Sequence, residues 1–364
     1  IGDNAFSYCS NLKKIHIPKY IQSIGYSAFG YCDAITDVYY GGDSVDWSYL
    51  QIDDWNNDSF TDATRHYNHT HTFKKTVNSA TISANGSINS TCSVCEGIKV
   101  TAIPRVKTIK LSTTKYIYDG TNKTPKVTVR DSAGNTLVKG TDYKLTVASK
   151  RSAIGRHTVK VTFKGKYTGT KSVYFYILPG APATAKASSQ TASSVKLSWS
   201  AVKGAAGYKV YRYSPSKKTY VYVDATTKTY ATVKKLLAGT SYTFRVYAYG
   251  KTSAGKVYDG EKYILVKTVT ACATPTLKLA STAKGRATIA WSNVAGETGY
   301  QAYYSTKKDS GFKRIANYAA NTTKAYKTGL TSGKTYYFKV RAYTKVGDSY
   351  VYSGYSAVKY MKIK

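Results

Sequence analysis

Apolar and polar residues alternate along most of this chain. The alternation is clearest in residues 242–248 and 336–342, where every second position is Tyr, Phe, Val or Ala. A period of two over several residues predicts a strand with one buried face. Residues 104–179 contain shorter stretches of the same kind, separated by turns rich in Gly, Asp and Asn. The pattern predicts a mainly β chain with very little helix.

The first 40 residues contain a sequence repeat of 23 residues. IGDNAFSYC at residues 1–9 returns as IGYSAFGYC at residues 24–32, and each copy continues into an alternating apolar stretch. A period in the twenties with one short strand per repeat predicts a solenoid. A single coil cannot bury its apolar face, so two copies that open on a complete motif predict further copies upstream.

The second copy departs from the first, with Ile35 in place of Leu12 and no Pro after its strand. A polar tract rich in Asp, Asn and Trp follows it, from Asp46 to Asp62. A solenoid needs a polar cap where it ends in water. Residues 1–68 are therefore predicted to be the end of the solenoid with its cap. The candidate ligand-binding residues here are Trp47 and Trp55, for which sealing the last coil is the alternative role.

Residues 1–18 follow the pattern I-G-x-x-A-F-x-x-C-x-x-L-x-x-I-x-I-P. This pattern resembles the BspA-like leucine-rich repeats of bacteria. The resemblance implies a leucine-rich-repeat solenoid and adhesion to host or neighbouring-cell components. Adjacent coils lie about 4.8 Å apart. The stacked Cys9 and Cys32 therefore form either a disulfide or a ladder of buried thiols that pack as small hydrophobic groups.

The C-terminal part of the chain contains two copies of one segment, offset by 92 to 94 residues. Trp199 in the first copy matches Trp291 in the second. Both copies also contain an L-x-x-G-x-x-Y motif, which ends at Tyr242 in the first copy and at Tyr336 in the second. A Trp on an early strand and a Tyr after L-x-x-G fit a β-sandwich with a tyrosine corner. Both copies resemble fibronectin type III domains, at residues 180–272 and 273–364.

The short strands and turns of residues 104–179 predict a further small β-sandwich. This segment resembles the Ig-like modules that accompany bacterial surface repeats. The predicted fold class is mainly β, the end of a leucine-rich-repeat solenoid followed by tandem β-sandwiches.

Residues 69–103 form a small linker module with candidate metal ligands. Two thiols in a C-x-x-C pattern, followed by a Gly that lets backbone N–H groups approach sulfur, can hold one metal ion with histidines that precede them. A segment too short to build its own core is where a metal contributes most to folding. A structural zinc ion is therefore predicted on Cys92, Cys95, His71 and His69. The alternatives are a disulfide between the cysteines, or free thiols beside exposed histidines.

The formal net charge of +35 is distributed unevenly along the chain. Residues 1–68 carry four Lys or Arg and nine Asp, whereas the remainder carries 50 basic and 10 acidic residues. Solvated sheet faces account for most of the lysines, and an anionic cell-wall polymer is a candidate partner for the basic tail. The sequence has no basic cluster, no recognition helix and no RNA-binding signature, so we do not expect specific nucleic-acid binding. The longest apolar run, residues 173–178, is too short for a transmembrane segment.

The chain offers no catalytic constellation. Its three Glu lie in predicted turns, and no nucleophile or phosphate-binding motif is present. We therefore expect a non-enzymatic, extracellular or cell-surface bacterial protein. Its solenoid would bind a host or neighbouring-cell protein or glycan, and its tail would be a spacer or a basic wall-associating stalk. The alternative is a non-catalytic accessory region of a secreted glycan-degrading enzyme.

Overall fold

Strands provide nearly all of the regular structure in a computed structural model that describes residues 1–364. The 29 strands and two short helices confirm the mainly β fold predicted from the sequence. The contacts divide the chain into two units, which are described separately. The first unit comprises residues 1–112, 126–147 and 158–173, and the second comprises residues 113–125, 148–157 and 174–364. No helix is long and apolar enough to span a membrane.

The solenoid in the first unit has three coils stacked through parallel strands. Its main sheet has the order β1-β3-β5, and a second pair of short strands, β2 and β4, runs beside it. Ile15 and Ile17 are in register with Val38 and Tyr40, so their side chains share the buried face. The elements are β1 (Lys14–Ile17), β2 (Ser23–Ile24), β3 (Asp37–Tyr40), α1 (Ser44–Ser48), β4 (Gln51–Ile52), α2 (Asp58–Thr61) and β5 (Thr64–His66).

The polar tract expected as a cap folds as the third coil. The backbone N–H of Asp53 donates to Ile24, and the N–H of Ser27 donates to Trp55, as the corresponding groups do between the first two coils. Asn57 is buried, and its amide accepts from the N–H of Phe29 while donating to two carbonyl groups. The Asn57 side chain therefore satisfies three backbone groups, one N–H and two carbonyls, that need hydrogen-bond partners when they are buried.

A small antiparallel sheet follows the solenoid. It has the order β6-β7-β8, with β6 (Phe73–Asn78), β7 (Gly86–Cys92) and β8 (Ile98–Ile103). Every residue of β6 is exposed, and only the last residue of β8 is buried. This sheet therefore has no apolar core of its own.

The first unit also contains strands from the segment 104–179, and the boundary between the units runs through that segment. Here β9 pairs with β11, and β12 pairs with residues 159–163 of β13, both antiparallel. Ala80 and Ile103, at one end of the small sheet, are buried in the same core as Val161 and Phe163. The bounds are β9 (Val106–Leu111), β10 (Lys115–Ile117), β11 (Val127–Asp131), β12 (Tyr143–Val147), β13 (Gly155–Phe163) and β14 (Thr170–Leu178).

In the second unit, β10 pairs in parallel with the end of β14, and two β-sandwiches follow. The first sandwich packs a sheet of order β15-β16-β19 on a sheet of order β18-β17-β20-β21. Its strands are β15 (Ala185–Gln190), β16 (Val195–Trp199), β17 (Gly207–Ser214), β18 (Thr219–Thr226), β19 (Tyr230–Val233), β20 (Ser241–Lys251) and β21 (Val257–Val269).

The second sandwich repeats this arrangement, with sheets of order β22-β23-β26 and β25-β24-β27-β28. The two differ at one edge: the long strand β21 pairs with β20 in the first sandwich, whereas two short strands, β28 and β29, pair with β27 in the second. Tyr242 and Tyr336 each accept a hydrogen bond from a backbone N–H five residues upstream, which confirms the predicted tyrosine corners. The strands are β22 (Leu277–Ala283), β23 (Arg286–Trp291), β24 (Gly299–Ser305), β25 (Lys313–Ala319), β26 (Lys324–Lys327), β27 (Thr335–Val346), β28 (Ser349–Tyr352) and β29 (Lys359–Lys362).

Candidate functional site

The outer face of the solenoid sheet carries an aromatic row. Because strand side chains alternate between faces, His16, Tyr39 and His66 point away from the solenoid core and are in register across β1, β3 and β5. The Tyr39 and His66 rings stack with centroids 4.4 Å apart, and Asp37 fixes His66 through a hydrogen bond of 2.8 Å. This row forms a flat surface on which the residues after β5 pack.

The structure brings together the four residues predicted as metal ligands. The ligand atoms of His69, His71, Cys92 and Cys95, hereafter the His/Cys cluster, all lie within 4.8 Å of one another. Two sulfur–nitrogen separations are 3.6 Å from Cys92 to His69 Nε2 and 3.4 Å from Cys95 to His71 Nδ1. The segment after β5 supplies the histidines, the last residue of β7 supplies the Cys92 sulfur, and the turn that follows supplies the Cys95 sulfur.

The turn that carries the two sulfurs has little spare space. Glu96 has a left-handed φ of 62°, and a Cβ on Gly97 would lie 3.3 Å from the Cys95 sulfur. Glycine at residue 97 therefore allows the backbone to approach the sulfur closely. Glu96 also pairs with Lys14 of β1 at 2.8 Å, which ties the turn to the solenoid.

Burial and hydrogen bonding act in opposite directions on the two thiols. Burial raises the pKa of Cys95, and contact with Cys92 adds to this shift. Burial also opposes ionisation of Cys92, but the backbone N–H of Cys95 and the side chain of His71 outweigh it and lower the pKa of Cys92. The thiolate, which is the form of cysteine that binds metals, is therefore favoured at Cys92.

Two residues that the sequence does not single out complete the surroundings of the cluster. The His16 ring centroid lies 4.2 Å from that of His71, and Tyr39 is buried in one apolar group with both cysteines. Four of the five histidines in the chain therefore lie on this one face of the solenoid. All five cysteines are free, so Cys9 and Cys32 are not joined: Cys32 is buried and Cys9 is exposed.

The two candidate ligand-binding tryptophans lie in opposite environments. Trp47 is 8% exposed and packs in the solenoid core, which leaves its ring little surface for a ligand. Trp55 is 65% exposed and stacks on Tyr26, with ring centroids 6.1 Å apart. A second exposed stack, Tyr8 on Tyr31 with centroids 4.6 Å apart, occupies another turn of the coils. We call these two stacks the aromatic turns.

The fold and these surfaces define a modular protein that joins a repeat solenoid to β-sandwiches. Residues 1–92 match the family described as BspA type Leucine rich repeat region (6 copies), and residues 180–258 match the family described as Fibronectin type III domain. The chain therefore carries a BspA-type leucine-rich-repeat region and a fibronectin type III domain, as predicted. Both are non-catalytic domain types that are typical of extracellular or surface proteins.

One curated relative and two solved structures show what the parts are similar to. Chitinase A1 of Niallia circulans is 32% identical over 184 residues, which cover 48% of this chain but only 24% of that protein. A two-domain fibronectin type III segment of chicken tenascin is 19% identical, with a TM-score of 0.32, and covers 51% of this chain and 99% of that one. The FN1-FN3 domains of chicken CNTN1 are 13% identical, with a TM-score of 0.31, and cover 71% and 98%.

Proposed function

We propose that this chain is the recognition and spacer region of a secreted or cell-surface bacterial protein without enzymatic activity. The solenoid binds a protein or glycan of a host or neighbouring cell, and the sandwiches hold it away from the surface that bears it. Their excess of exposed lysines suits contact with an anionic cell-wall polymer.

The aromatic turns are the observation that carries this proposal. Tyr and Trp are enriched among the residues that dominate binding energy at protein interfaces, because a rigid ring buries a large area at a small entropic cost. Tyr8, Tyr31, Tyr26 and Trp55 hold their rings in stacks while remaining well exposed. Such rings offer pre-ordered flat surfaces, on which the apolar face of a sugar or a side chain can pack.

The similarity to chitinase A1 favours a second candidate function. In that case the chain would be a non-catalytic accessory region of a secreted glycan-degrading enzyme, and its preferred ligand would be the polymer that the enzyme cleaves. Chitin and chitin oligosaccharides are the probes that separate the two candidates. Binding to chitin without binding to host glycans or matrix proteins would support the accessory region.

Trp55→Ala is expected to weaken ligand binding about tenfold or more, as removal of a central interface aromatic does. The measurement is binding of the chain to an array of glycans and matrix proteins at about 0.1 M and about 1 M salt, where the Debye length falls from about 10 Å to about 3 Å. The matched control is Tyr20→Ala, which removes an exposed ring outside both stacks.

Specific recognition requires saturable binding that persists at the higher salt concentration and depends on Trp55. Binding that disappears at high salt, and that both variants retain at low salt, would contradict solenoid recognition. That result would leave only the charge of the tail as the source of binding.

A further inference from the structure

We propose that the His/Cys cluster is a zinc site that fastens the small sheet β6-β7-β8 to the outer face of the solenoid. The proposal rests on the geometry and chemical type of four ligands and on the lack of a core in the sheet that they hold. It does not depend on which ligand the solenoid binds.

Two sulfur–nitrogen separations in the cluster match those of a four-coordinate zinc site, and all four ligand atoms lie within 4.8 Å of one another. Zinc bonds to sulfur at about 2.3 Å and to imidazole nitrogen at about 2.0–2.1 Å, so adjacent corners of a tetrahedron lie about 3.6 Å apart. The measured separations are 3.6 Å between Cys92 and His69 and 3.4 Å between Cys95 and His71. Two thiolates and two imidazoles suit zinc, which prefers sulfur and nitrogen ligands.

A divalent ion would balance the charge of the cluster once both thiols were ionised. Cys92 is fully buried and Cys95 is 4% exposed, so two thiolates here would be two unpaired negative charges out of contact with water. A Zn²⁺ ion with two thiolates and two neutral imidazoles has no net charge. His16 lies beside His71 but outside the four-ligand set, so it packs against the site without completing it.

The sheet that carries the two cysteines is held only at its ends. One end reaches the core of the following strands through Ala80 and Ile103. The other end contacts the solenoid through the buried group of Tyr39, Cys92 and Cys95. A segment that buries so little apolar surface needs a cross-link or a bound metal to become ordered. The free energy of metal binding then contributes directly to docking of the small sheet on the solenoid.

The full chain, purified without added chelator, is expected to carry about one zinc ion per molecule, measured by elemental mass spectrometry. The Cys92→Ser/Cys95→Ser variant should carry none. Cys9→Ser, which removes an exposed thiol elsewhere on the solenoid, and His16→Ala, which removes only a packing neighbour, should each retain the ion.

Cobalt(II) substitution separates loss of ligands from loss of folding. His71→Cys keeps four ligands, so it should still bind cobalt in tetrahedral form and should strengthen the thiolate-to-metal charge-transfer band. A misfolded variant would give neither signal. The proposal would be overturned if the wild-type chain stayed metal-free after exposure to zinc under reducing conditions. It would also be overturned if zinc stabilised the wild-type chain no more than the double variant. A Cys92–Cys95 disulfide whose two thiols, once released by a reductant, bind no zinc would do the same.

The fastening role has its own readout in amide hydrogen exchange. Removal of zinc by a chelator should accelerate exchange in residues 69–103 by about 100-fold, the factor by which a ligand at 100 times its Kd stabilises the bound form. Exchange in residues 180–364 should not change. Zinc binding without any change of exchange in residues 69–103 would overturn the fastening role.

Discussion

Trp47→Ala is expected to lower the free energy of unfolding of the solenoid by about 3–5 kcal/mol, the usual cost of truncating a buried aromatic residue to alanine. The Trp47 ring meets that of Tyr40 edge-on at 5.2 Å and that of Phe60 at 5.8 Å, and the Arg65 guanidinium lies 5.6 Å from its centre. Its removal therefore leaves a cavity between the second and third coils. The loss should appear as faster amide exchange in β3 and β4, measured by mass spectrometry.

Trp55→Ala is the matched control for this prediction. The same side chain is deleted from the same coil, but Trp55 is mostly exposed and contacts one ring, that of Tyr26. We expect a change within about 0.5 kcal/mol, as for most surface substitutions. If the free energy of unfolding fell equally in the two variants, the buried packing of Trp47 would contribute no more to the stability of the solenoid than an exposed ring does. Together with the binding assay, the pair separates a tryptophan that holds the coil from one that contacts a ligand.

Gly239→Ala is expected to separate the two C-terminal sandwiches. Gly239 has a φ of +57°, and a Cβ there would lie 2.1 Å from the carbonyl oxygen of Ala295 in the second sandwich. A Cβ on Gly296 would meet the carbonyl oxygen of Gly239 at 2.0 Å. Two backbones approach this closely only where both residues are glycine. The clash should cost about 1–3 kcal/mol of docking free energy, in the range of overpacked contacts.

Gly333→Ala provides the control, because it occupies the same L-x-x-G position in the second sandwich. Its φ of +76° imposes a similar left-handed strain, yet no atom lies within 4 Å of the added Cβ. Nuclear spin relaxation of the full chain should show the two sandwiches tumbling together in the wild type and in Gly333→Ala, and more independently in Gly239→Ala. Equal behaviour of the two variants would show that the glycine contact does not hold the junction.

Hydrogen bonds fix the Gly296 loop of the second sandwich and connect that sandwich to the linker. The Thr344 hydroxyl donates to the carbonyl of Gly296 at 2.7 Å, and the buried Cys272 sulfur lies 3.1 Å from that hydroxyl. Cys272 belongs to the short linker between the sandwiches. The sequence suggests close docking only through the length of that linker, because no local pattern shows which loops meet.

The sandwiches were largely predictable from the sequence because their signals are local. Alternation over residues 242–248 and the Tyr242 corner depend on neighbours within one strand and one turn. The third coil was not predicted, because it departs from the repeat. It has one more residue than the second coil between Ile52 and the left-handed Asn56, and it uses a buried Asn57 side chain to satisfy the backbone.

The candidate metal site was likewise predictable only in part. The C-x-x-C spacing and the preceding histidines identify four possible ligands from the sequence alone. The places of His16 and Tyr39 beside them follow from the parallel register of β1 and β3, which pairs the two residues across the sheet. Register between coils depends on the whole stack, so no motif around residue 16 or residue 39 reveals it.

The small sheet between the solenoid and the following strands has a mechanical consequence. The chain enters it at Phe73, opposite Cys92, and leaves it at Ile103, opposite Gly86, so the two points of attachment lie at opposite ends of the strands. Tension along the chain would therefore load both hydrogen-bond ladders in shear, with their bonds sharing the force instead of opening one by one. The His/Cys cluster lies at the end where that force enters. With zinc bound as proposed, a pull on the solenoid would be resisted first by the cluster and then by the whole sheet.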